Sequence, residues 1–318
     1  ILNFINYKMN KESSIYIAGH NGMVGSAIVR LLINKGYNNL ILKNRKDLDL
    51  TKELDTKLFF EKNLPDYVIN AAGLVGGINA NIKYPVEFCS VNFLISNNLL
   101  KCSSKYNVKK IVMIGSSCMY PHAAKPPFQE GDILSNKPEP TNEGFALSKI
   151  MSLKLSQYYS NQYGLKTLNL IASNLYGTND HYDLENSHVL SALIKKFVDA
   201  NRMDLKEVKL WGSGKPIREF MHVDDFAEAL FFLMKNWGPN DFINVGSGEE
   251  ISIKNLAELI INNTGYKGSL LWDKTKKDGM IRKCLDISNL KKLEYKHNIS
   301  ISEGIVKTIK EYKKQIEL

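Results

Sequence analysis

The chain has 318 residues, of which 44% are hydrophobic and 24% are charged, and this composition is ordinary for a soluble globular protein. Its length suffices for one large α/β domain, or for a nucleotide-binding domain with a smaller cap. The net charge of +9 is scattered along the chain rather than concentrated in one run, which argues against a nucleic-acid partner. No apolar stretch is long enough to cross a membrane, so no membrane partner is expected.

The cysteines indicate neither a metal site nor a disulfide framework. Cys89, Cys102, Cys118 and Cys284 form no CxxC pair and show no spacing typical of metal ligands. We therefore expect a reducing compartment and no bound metal. Residues 1–8 lack the features of a secretory signal, and residues 1–12 are expected to form an N-terminal tail, so a cytoplasmic protein is predicted.

The stretch after this tail is typical of a dinucleotide-binding turn. Residues 14–18 form a short apolar run that predicts a strand, and a helical pattern follows up to Gly36. Between them, three glycines at three-residue spacing allow a sharp turn, close approach of a pyrophosphate and tight packing of helix on strand. Phosphates would then lie at the helix N-terminus, where free N–H groups favour anions. The predicted contact residues are Gly19, Asn21, Gly22, Met23, Val24 and Gly25.

The end of the second predicted strand, Leu40–Lys43, bears on the choice of cofactor. An acidic residue there suits the 2′-hydroxyl of NAD, whereas a basic residue suits the 2′-phosphate of NADP. Lys43 and Arg45 therefore favour NADP, although a solvated basic turn remains the alternative. Asp49 and Leu50 follow at a position suited to contact adenine.

Further strands and helices alternate up to about residue 178. The pattern predicts strands at Tyr67–Asn70, Lys110–Ile114 and Thr167–Ala172, and helices at Pro85–Tyr106 and Asn142–Tyr163. The helix Pro85–Tyr106 is apolar on more than one face, which suggests burial against the sheet and a partner subunit. Two small residues, Ala71 and Ala72, follow the strand that ends at Asn70. Their size would let the cofactor approach closely.

The alternation weakens from about Asp180, where a cap is expected to begin. It predicts helices at Ser187–Ala200, Val223–Asn236 and Ile253–Thr264, a strand at Phe242–Val245 and a C-terminal helix. We predict an α/β fold: a Rossmann-type doubly wound parallel sheet with a smaller α/β nucleotide-sugar-binding domain. The first would span residues 13–178 and the second 179–318, interleaved by a segment near 221–248 that returns to the sheet.

Two motifs carry a specific family resemblance: GSSCMYP at Gly115–Pro121 and WGSGKPIREFMHVDD at Trp211–Asp225. With them the sequence resembles the extended short-chain dehydrogenase/reductases, and within that family the members that epimerise and reduce GDP-4-keto sugars. The resemblance covers almost the whole chain. It implies NADP(H) as cofactor, a GDP-4-keto-6-deoxy-hexose as substrate and a homodimer.

The resemblance also implies residue roles. Arg45 matches the arginine that holds the 2′-phosphate, whereas Asn21 departs from a second arginine common in the family. The catalytic set would be Ser116, the epimerisation pair Cys118 and His188, Lys149, and Phe145 at the position of the family's tyrosine. Lys149 would also bind the cofactor, through a hydrogen bond to the nicotinamide ribose. The GDP-sugar would contact His188, Lys196, Trp211, Arg218 and Lys283.

The main departure from the family is Phe145, four residues before Lys149, where the family carries its catalytic tyrosine. Phenylalanine has no hydroxyl, so the usual proton route for reduction is missing. Loss of one acid typically slows such a step by about 10²- to 10⁴-fold. Phe145 is either an introduced replacement of tyrosine or a natural residue in a slow reductase, or in one with another proton donor.

The expected activity is NADPH-dependent 3,5-epimerisation and 4-reduction of GDP-4-keto-6-deoxy-D-mannose, with reduction impaired at Phe145. A thiolate and an imidazole suit the epimerisation because both titrate near neutral pH when their surroundings tune them. One alternative is an enzyme for another GDP-4-keto sugar, such as a heptose. A second is a non-catalytic GDP-sugar or NADP-binding protein, against which the intact Ser116, Cys118, Lys149 and His188 argue.

Overall fold

The computed structural model describes residues 9–184, 187–238, 242–276 and 278–317, and these form strands and helices in alternation. The strands are β1 (Ile15–Ala18), β2 (Leu40–Ile41), β3 (Tyr67–Asn70), β4 (Lys110–Ser116), β5 (Thr167–Ala172), β6 (Asn174–Tyr176), β7 (Glu207–Trp211), β8 (Ile217–His222), β9 (Phe242–Val245), β10 (Glu250–Ser252), β11 (Ser269–Asp273) and β12 (Arg282–Lys283). The helices are α1 (Met23–Asn34), α2 (Glu53–Asn63), α3 (Ile78–Lys83), α4 (Pro85–Lys105), α5 (Glu143–Tyr163), α6 (Val189–Arg202), α7 (Val223–Asn236), α8 (Ile253–Thr264), α9 (Ser288–Lys292) and α10 (Ile301–Glu317).

A six-stranded sheet in the order β2-β1-β3-β4-β5-β9 forms the centre of the larger part. All five neighbouring pairs are parallel. Strands β1, β3 and β5 are buried along their whole length, because helices cover both faces of the sheet. This arrangement confirms the predicted Rossmann-type α/β fold.

Separate hydrophobic cores lie on the two faces of this sheet. On one face α1 and α7 pack together, and Ile28 and Phe226 belong to their core. On the other face α2, α4 and α5 pack, with Phe60 and Leu99 in the core. The strand order reverses between β1 and β3, so the carboxyl ends of these strands and of β4 form the edge at which ligands bind in such sheets.

The smaller part is built on β8, which pairs with β6, β10 and β12. Strands β7 and β11 form a separate parallel pair. Helices α6, α8 and α10 pack around a third core that includes Phe197, Leu256 and Ile309. The chain returns to the large sheet through α7 and β9, which pairs with β5.

Several predicted elements coincide with the observed ones, and the differences are local. The strands at Tyr67–Asn70, Thr167–Ala172 and Phe242–Val245 are found as predicted. Strand β2 has only two residues, because the chain leaves the sheet after Ile41. The stretch 273–286 contains the short strand β12, which was not predicted from the sequence and whose pairing with β8 a local pattern does not show.

The chain is packed from Met9 onward. Met9 is buried in the core between the sheet and α1, and the Tyr37 hydroxyl donates a hydrogen bond of 3.2 Å to its carbonyl oxygen. The boundary of the predicted tail at residue 12 does not match this packing, because apolar contacts begin three residues earlier. Residues 1–8 lie outside the described residues.

Among the described helices, none combines the length and apolar character that a membrane crossing requires.

We expect Asp225→Ala to lower the free energy of unfolding by more than about 2 kcal/mol, because two backbone amides lose a buried acceptor. The Asp225 carboxylate accepts hydrogen bonds from Asn298 N (3.0 Å) and Ile299 N (2.8 Å), which hold the start of α10 against α7. Urea denaturation followed by circular dichroism measures the change. In the control Asp224→Ala, loss of the partly exposed ion pair with Arg30 costs less than about 1 kcal/mol. Equal losses in the two variants would contradict this role of Asp225.

Candidate dinucleotide and sugar site

The turn between β1 and α1 is shaped by close backbone contacts. Gly19 has φ +76°, in the left-handed region that favours glycine. A Cβ atom at Gly19 would also lie 2.7 Å from the carbonyl oxygen of Ala71 and from the amide nitrogen of Ala72. A Cβ on Gly25 would overlap the carbonyl oxygen of Gly19. Both glycines are therefore required by the protein's own packing.

Gly22 is different, because the protein itself leaves room for a side chain there. Its φ of −76° suits any residue, and the nearest atom to a Cβ would be the Gly19 carbonyl oxygen at 3.5 Å. Gly22 is the N-cap of α1, where no side chain caps the first-turn amides and no acidic residue is present. Free N–H groups at a helix N-terminus can bind an anion. Met23 and Val24 begin the helix and are partly buried.

The segment after β2 lies beside this turn. The side-chain amide of Asn21 donates a hydrogen bond of 2.5 Å to Oδ1 of Asn44. Lys43 and Arg45 flank Asn44 and are exposed. Within the described residues, Arg45 forms no hydrogen bond or ion pair, so its guanidinium is available to a ligand.

Asp49 and Leu50 follow in the next turn. The Thr51 hydroxyl and amide donate to Asp49 Oδ1 at 2.7 and 3.1 Å, and these bonds lower the pKa of the Asp49 carboxyl. Leu50 is buried, and its carbonyl oxygen accepts a hydrogen bond of 2.9 Å from the Asn98 side chain. The turn is thereby fixed at the edge of the sheet.

The end of β3 is held by a buried asparagine. Asn92 Oδ1 accepts from the amide of Leu74 at 2.8 Å, and its Nδ2 donates to the Leu74 carbonyl oxygen at 2.9 Å. This clamp fixes the loop that begins with Ala71 and Ala72, both partly buried against the β1–α1 turn. The small side chains leave this edge open to a ligand.

Cys118 lies at the end of β4 and receives two donors. Lys283 Nζ is 3.3 Å and Asn142 Nδ2 is 3.2 Å from its sulfur. Ser116 precedes the cysteine, and its hydroxyl oxygen accepts a hydrogen bond of 3.3 Å from the Cys118 amide. Two N–H donors from different parts of the chain therefore converge on the Cys118 sulfur. The large sheet supplies the cysteine, whereas β12 of the smaller part supplies the lysine.

Phe145 and Lys149 lie one turn apart on α5. The Phe145 ring is partly buried and packs edge-on against Phe88, with 6.4 Å between ring centroids. Lys149 Nζ lies 5.6 Å from the Phe145 ring centroid and donates a hydrogen bond of 2.9 Å to the carbonyl oxygen of Ile114. Burial lowers the pKa of Lys149 to about 8.

His188 immediately precedes α6 and is the N-cap of that helix. Loss of hydration among surrounding groups lowers the pKa of its imidazole, Asp180 acts in the opposite direction, and Lys283 adds to the decrease. Lys283 is thus within electrostatic reach of His188 while it contacts Cys118. Burial raises the pKa of Asp180, whose carboxylate accepts a hydrogen bond of 2.5 Å from the Ser191 hydroxyl.

Cations from two strands line the smaller part of the site. Arg218 on β8 is in register with Lys283 on β12. Burial lowers the pKa of the Arg218 guanidinium, and the Asp278 carboxylate opposes this change. Two adjacent cations of this kind suit a pyrophosphate, which arginine can bind through two parallel hydrogen bonds.

Lys196 and Trp211 complete the predicted sugar-nucleotide residues. Lys196 Nζ donates a hydrogen bond of 3.3 Å to the carbonyl oxygen of Lys209, and burial lowers its pKa. Trp211 is 61% exposed, which is unusual for a large aromatic residue, and Lys276 Nζ lies 5.6 Å from its ring centroid. The exposed face of the indole is available for stacking.

Sequence reasoning missed Asn142 and Asp180 as members of this site. Both lie close in sequence to predicted residues, Asn142 three positions before Phe145 and Asp180 eight before His188. Their short polar side chains are common in turns and at helix ends, so the sequence alone gives them no distinctive pattern. Only their contact with Cys118 and their effect on His188 set them apart.

The chain belongs to the NAD dependent epimerase/dehydratase family, whose model matches residues 15–246. That segment contains the glycine turn after β1, the motif at the end of β4 with Ser116 and Cys118, and the helix that carries Lys149. The fold and the family thus agree on a protein class that binds a nicotinamide dinucleotide at the edge of a parallel sheet.

Similar proteins of known name extend over nearly the whole chain. GDP-L-fucose synthase 1 of Arabidopsis thaliana is 44% identical over 307 residues, which cover 96% of this chain and 95% of that protein. GDP-L-fucose synthase of Escherichia coli (strain K12) is 41% identical over 309 residues, 94% of this chain and 96% of that one. Among solved structures, the NADP-bound GDP-mannoheptose C4 reductase MlghC of Campylobacter jejuni has a TM-score of 0.88 and 35% identity, covering 96% and 99% of the two chains.

We expect Gly25→Ala and Gly22→Ala to differ in their effects on folding. The added methyl of Gly25→Ala overlaps the Gly19 carbonyl, so the free energy of unfolding should fall by about 1 to 3 kcal/mol. Gly22→Ala has space and a permitted φ, so its stability should change by less than about 1 kcal/mol. Thermal denaturation measures both. A large loss of stability in Gly22→Ala would contradict the assignment of Gly22 to ligand approach rather than packing.

Proposed function

We propose that this chain is an NADPH-dependent GDP-sugar epimerase/reductase that converts GDP-4-keto-6-deoxy-D-mannose to GDP-L-fucose, with reduction slowed by Phe145. The observation that carries the proposal is the cluster at the end of β4, where the Cys118 sulfur receives N–H donors from Lys283 and Asn142. His188 lies within electrostatic reach of the same lysine, and its pKa is lowered mainly by lost hydration. An ionisable pair of this kind fits proton exchange at carbons next to a ketone. The named relatives support the substrate class.

The dinucleotide would lie across the β1–α1 turn. The first-turn amides of α1 would receive the pyrophosphate, and Gly22 would allow its close approach. Exposed Arg45, with Lys43 beside it, would bind a 2′-phosphate, which favours NADP over NAD. When bound, the reduced nicotinamide supplies the hydride for C4 of the sugar.

The epimerisation would use the thiol and the imidazole on opposite sides of the sugar. Cys118 acts as base and removes the proton at C3 or C5, and His188 returns a proton to the other face. Lys283 and Asn142 stabilise the sulfur when it is negatively charged. The Ser116 hydroxyl donates to the C4 oxygen, where negative charge develops in the enolate.

Affinity for the nucleotide part would come from anion and base recognition. Arg218 and Lys196 bind the pyrophosphate, and the exposed face of Trp211 offers a surface for the base or sugar. Arg218 also lies in register with Lys283, so one ligand can touch the cations and approach Cys118.

A second candidate is a reductase or epimerase for a GDP-4-keto heptose. The structural similarity to a GDP-mannoheptose C4 reductase, with a TM-score of 0.88, supports this second candidate. The two candidates are distinguished by giving the protein each sugar in turn, in the experiment described below. The true substrate should show the higher kcat/KM for deuterium exchange and reduction.

The predicted homodimer and cytoplasmic location stay proposals. Helices α4 and α5 pack against each other and still expose apolar side chains, namely Leu94, Leu147, Met151 and Tyr158. A second copy would cover this surface, and sedimentation equilibrium measures the mass in solution.

We expect Arg45→Ala to raise the Kd for NADPH by about 10- to 100-fold, because a charge-assisted hydrogen bond to the 2′-phosphate is lost. The Kd for NADH, which has no 2′-phosphate, should stay unchanged. Quenching of protein fluorescence measures both. Lys46→Ala, a neighbouring exposed cation, is the control and should alter NADPH binding much less. A uniform loss for both cofactors in Arg45→Ala would contradict recognition of the 2′-phosphate.

The function itself is tested by incubating the protein with GDP-4-keto-6-deoxy-D-mannose and NADPH in deuterated water. We expect deuterium at C3 and C5 with slow formation of the reduced sugar, because the epimerisation pair is intact and Phe145 lacks a hydroxyl. Mass spectrometry and NMR follow the sugar. Phe145→Tyr should then accelerate reduction by about 10²- to 10⁴-fold.

Cys118→Ser is expected to suppress the deuterium exchange while leaving NADPH binding unchanged. Cys89→Ser is the matched control, since Cys89 lies on α4 away from the contacts of Cys118. Binding of NADPH and the GDP-sugar without any exchange in the unchanged protein would contradict the proposed epimerase and favour a binding protein in the fold of an enzyme.

A further inference from the structure

The reduction proposed above leaves one proton without an assigned source. Hydride addition to C4 converts the carbonyl to an alkoxide, and a proton must reach that oxygen to complete the alcohol. Phe145 occupies the helix position four residues before Lys149 and ends in a ring carbon. Another group near this ring must therefore supply the proton, since a buried alkoxide without a donor is strongly disfavoured.

Lys149 is an acidic group that the structure places beside the Phe145 ring. Its Nζ lies 5.6 Å from the Phe145 ring centroid, and it would lie 3.8 Å from a Cβ placed on Gly73 at the end of β3. It is therefore at the carboxyl edge of the sheet, where the cofactor is proposed to bind. The amine donates to Ile114 O, two residues before Ser116 on the same strand.

The Lys149 ammonium has more N–H groups than its described contacts use. A lysine ammonium carries three N–H groups, and in the described part of the chain Lys149 uses one of them, on Ile114 O. The remaining two can reach a ligand at the end of β4. In contrast, the hydroxyl of Tyr120 is buried and donates to Asn244 Oδ1 at 2.5 Å, so that phenol is engaged elsewhere.

The surroundings of Lys149 make its ammonium a better acid than an ordinary lysine. Burial lowers the pKa to about 8, and no charged neighbour contributes to the change. Among the described residues that line the narrow cavity around its side chain, Lys149 is the one ionisable group. The others are apolar or uncharged, as Met113, Ser152 and Asn169 are.

We propose that Lys149 is a catalytic residue that itself gives the proton to the C4 oxygen in this chain. The step balances: hydride goes to C4, one N–H bond of the ammonium breaks, the O–H bond of the alcohol forms, and the neutral amine regains a proton from water. This inference rests on the proposed function. It is carried by one juxtaposition. Lys149 has N–H groups that the described contacts do not use, and they lie beside Phe145, which has no hydroxyl.

The first test is the pH dependence of single-turnover reduction by the unchanged protein. Because the donor must be protonated, the rate constant should be level below about pH 8 and fall about tenfold per pH unit above it. Phe145→Tyr should raise the rate and move this limb away from the lysine's pKa, since a phenol then supplies the proton. A rate that does not fall above pH 8 in the unchanged protein would overturn the inference.

The second test separates proton donation from binding. Lys149→Arg keeps a positive charge but cannot release a proton in this range, so reduction should fall by about 10²-fold or more. NADPH binding is measured in the same variant at saturating cofactor, and deuterium exchange at C3 and C5 should persist because Cys118 and His188 remain. Lys154→Arg, on the same helix outside the site, is the matched control and should leave reduction unchanged.

A readout independent of activity is NMR of the protein with ¹³C-labelled lysine. One lysine resonance should titrate near pH 8 in the unchanged protein and be absent in Lys149→Arg. If NADPH binding and exchange persist while Lys149→Arg reduces as fast as the unchanged protein, only this inference is overturned. If the unchanged protein neither binds NADPH nor exchanges deuterium, the proposed function fails and the inference fails with it.

Discussion

One buried carboxylate joins the segments of the smaller part that bring Lys283 to Cys118. Glu219 is fully buried on β8, and it accepts hydrogen bonds from the amides of Gly248 (2.8 Å) and Leu285 (2.9 Å). Burial raises the pKa of Glu219, and these backbone bonds oppose the increase by stabilising the charged form. The carboxylate thereby ties the two-residue strand β12 and the turn after β9 to β8. Together with the pairing of β12 and β8 and the ion pair between Arg282 and Glu250, this tie holds Lys283 against the end of the large sheet.

The site is consequently assembled from the large sheet and the smaller part, and each supplies different groups. The large sheet supplies the edge at which a dinucleotide can lie, together with Ser116 and Cys118 at the end of β4. The smaller part supplies the cations, because Arg218 and Lys283 are in register on neighbouring strands. Cys118 and the two cations therefore meet only when both parts are folded. In the proposed function, this division lets the cations bind the nucleotide while the thiol faces a carbon of the sugar.

Phe145 matters for the proposed chemistry because its side chain has no hydroxyl. Its ring makes an edge-on contact with Phe88 and lies beside Lys149. The proposed function treats the missing hydroxyl as the loss of one proton donor. The neighbouring ammonium is buried enough to have a pKa of about 8, so the same helix retains a group with acidity suited to neutral conditions. Lys149 therefore offers an acidic group beside Phe145, whose own side chain has none.

The sequence by itself determined the Rossmann-type sheet, because buried parallel strands are continuous apolar runs and the glycine turn after β1 has a local signature. It also marked Gly19, Gly25 and Cys118, through motifs that are contiguous in the chain. Tertiary structure decided the rest. Lys283 meets Cys118 across 165 positions, and Asn142 and Asp180 join the site through contacts that no local pattern encodes. Strand β12 forms only because β8 is beside it, and the lowered pKa of Lys149 exists only because folding removes water from its amine.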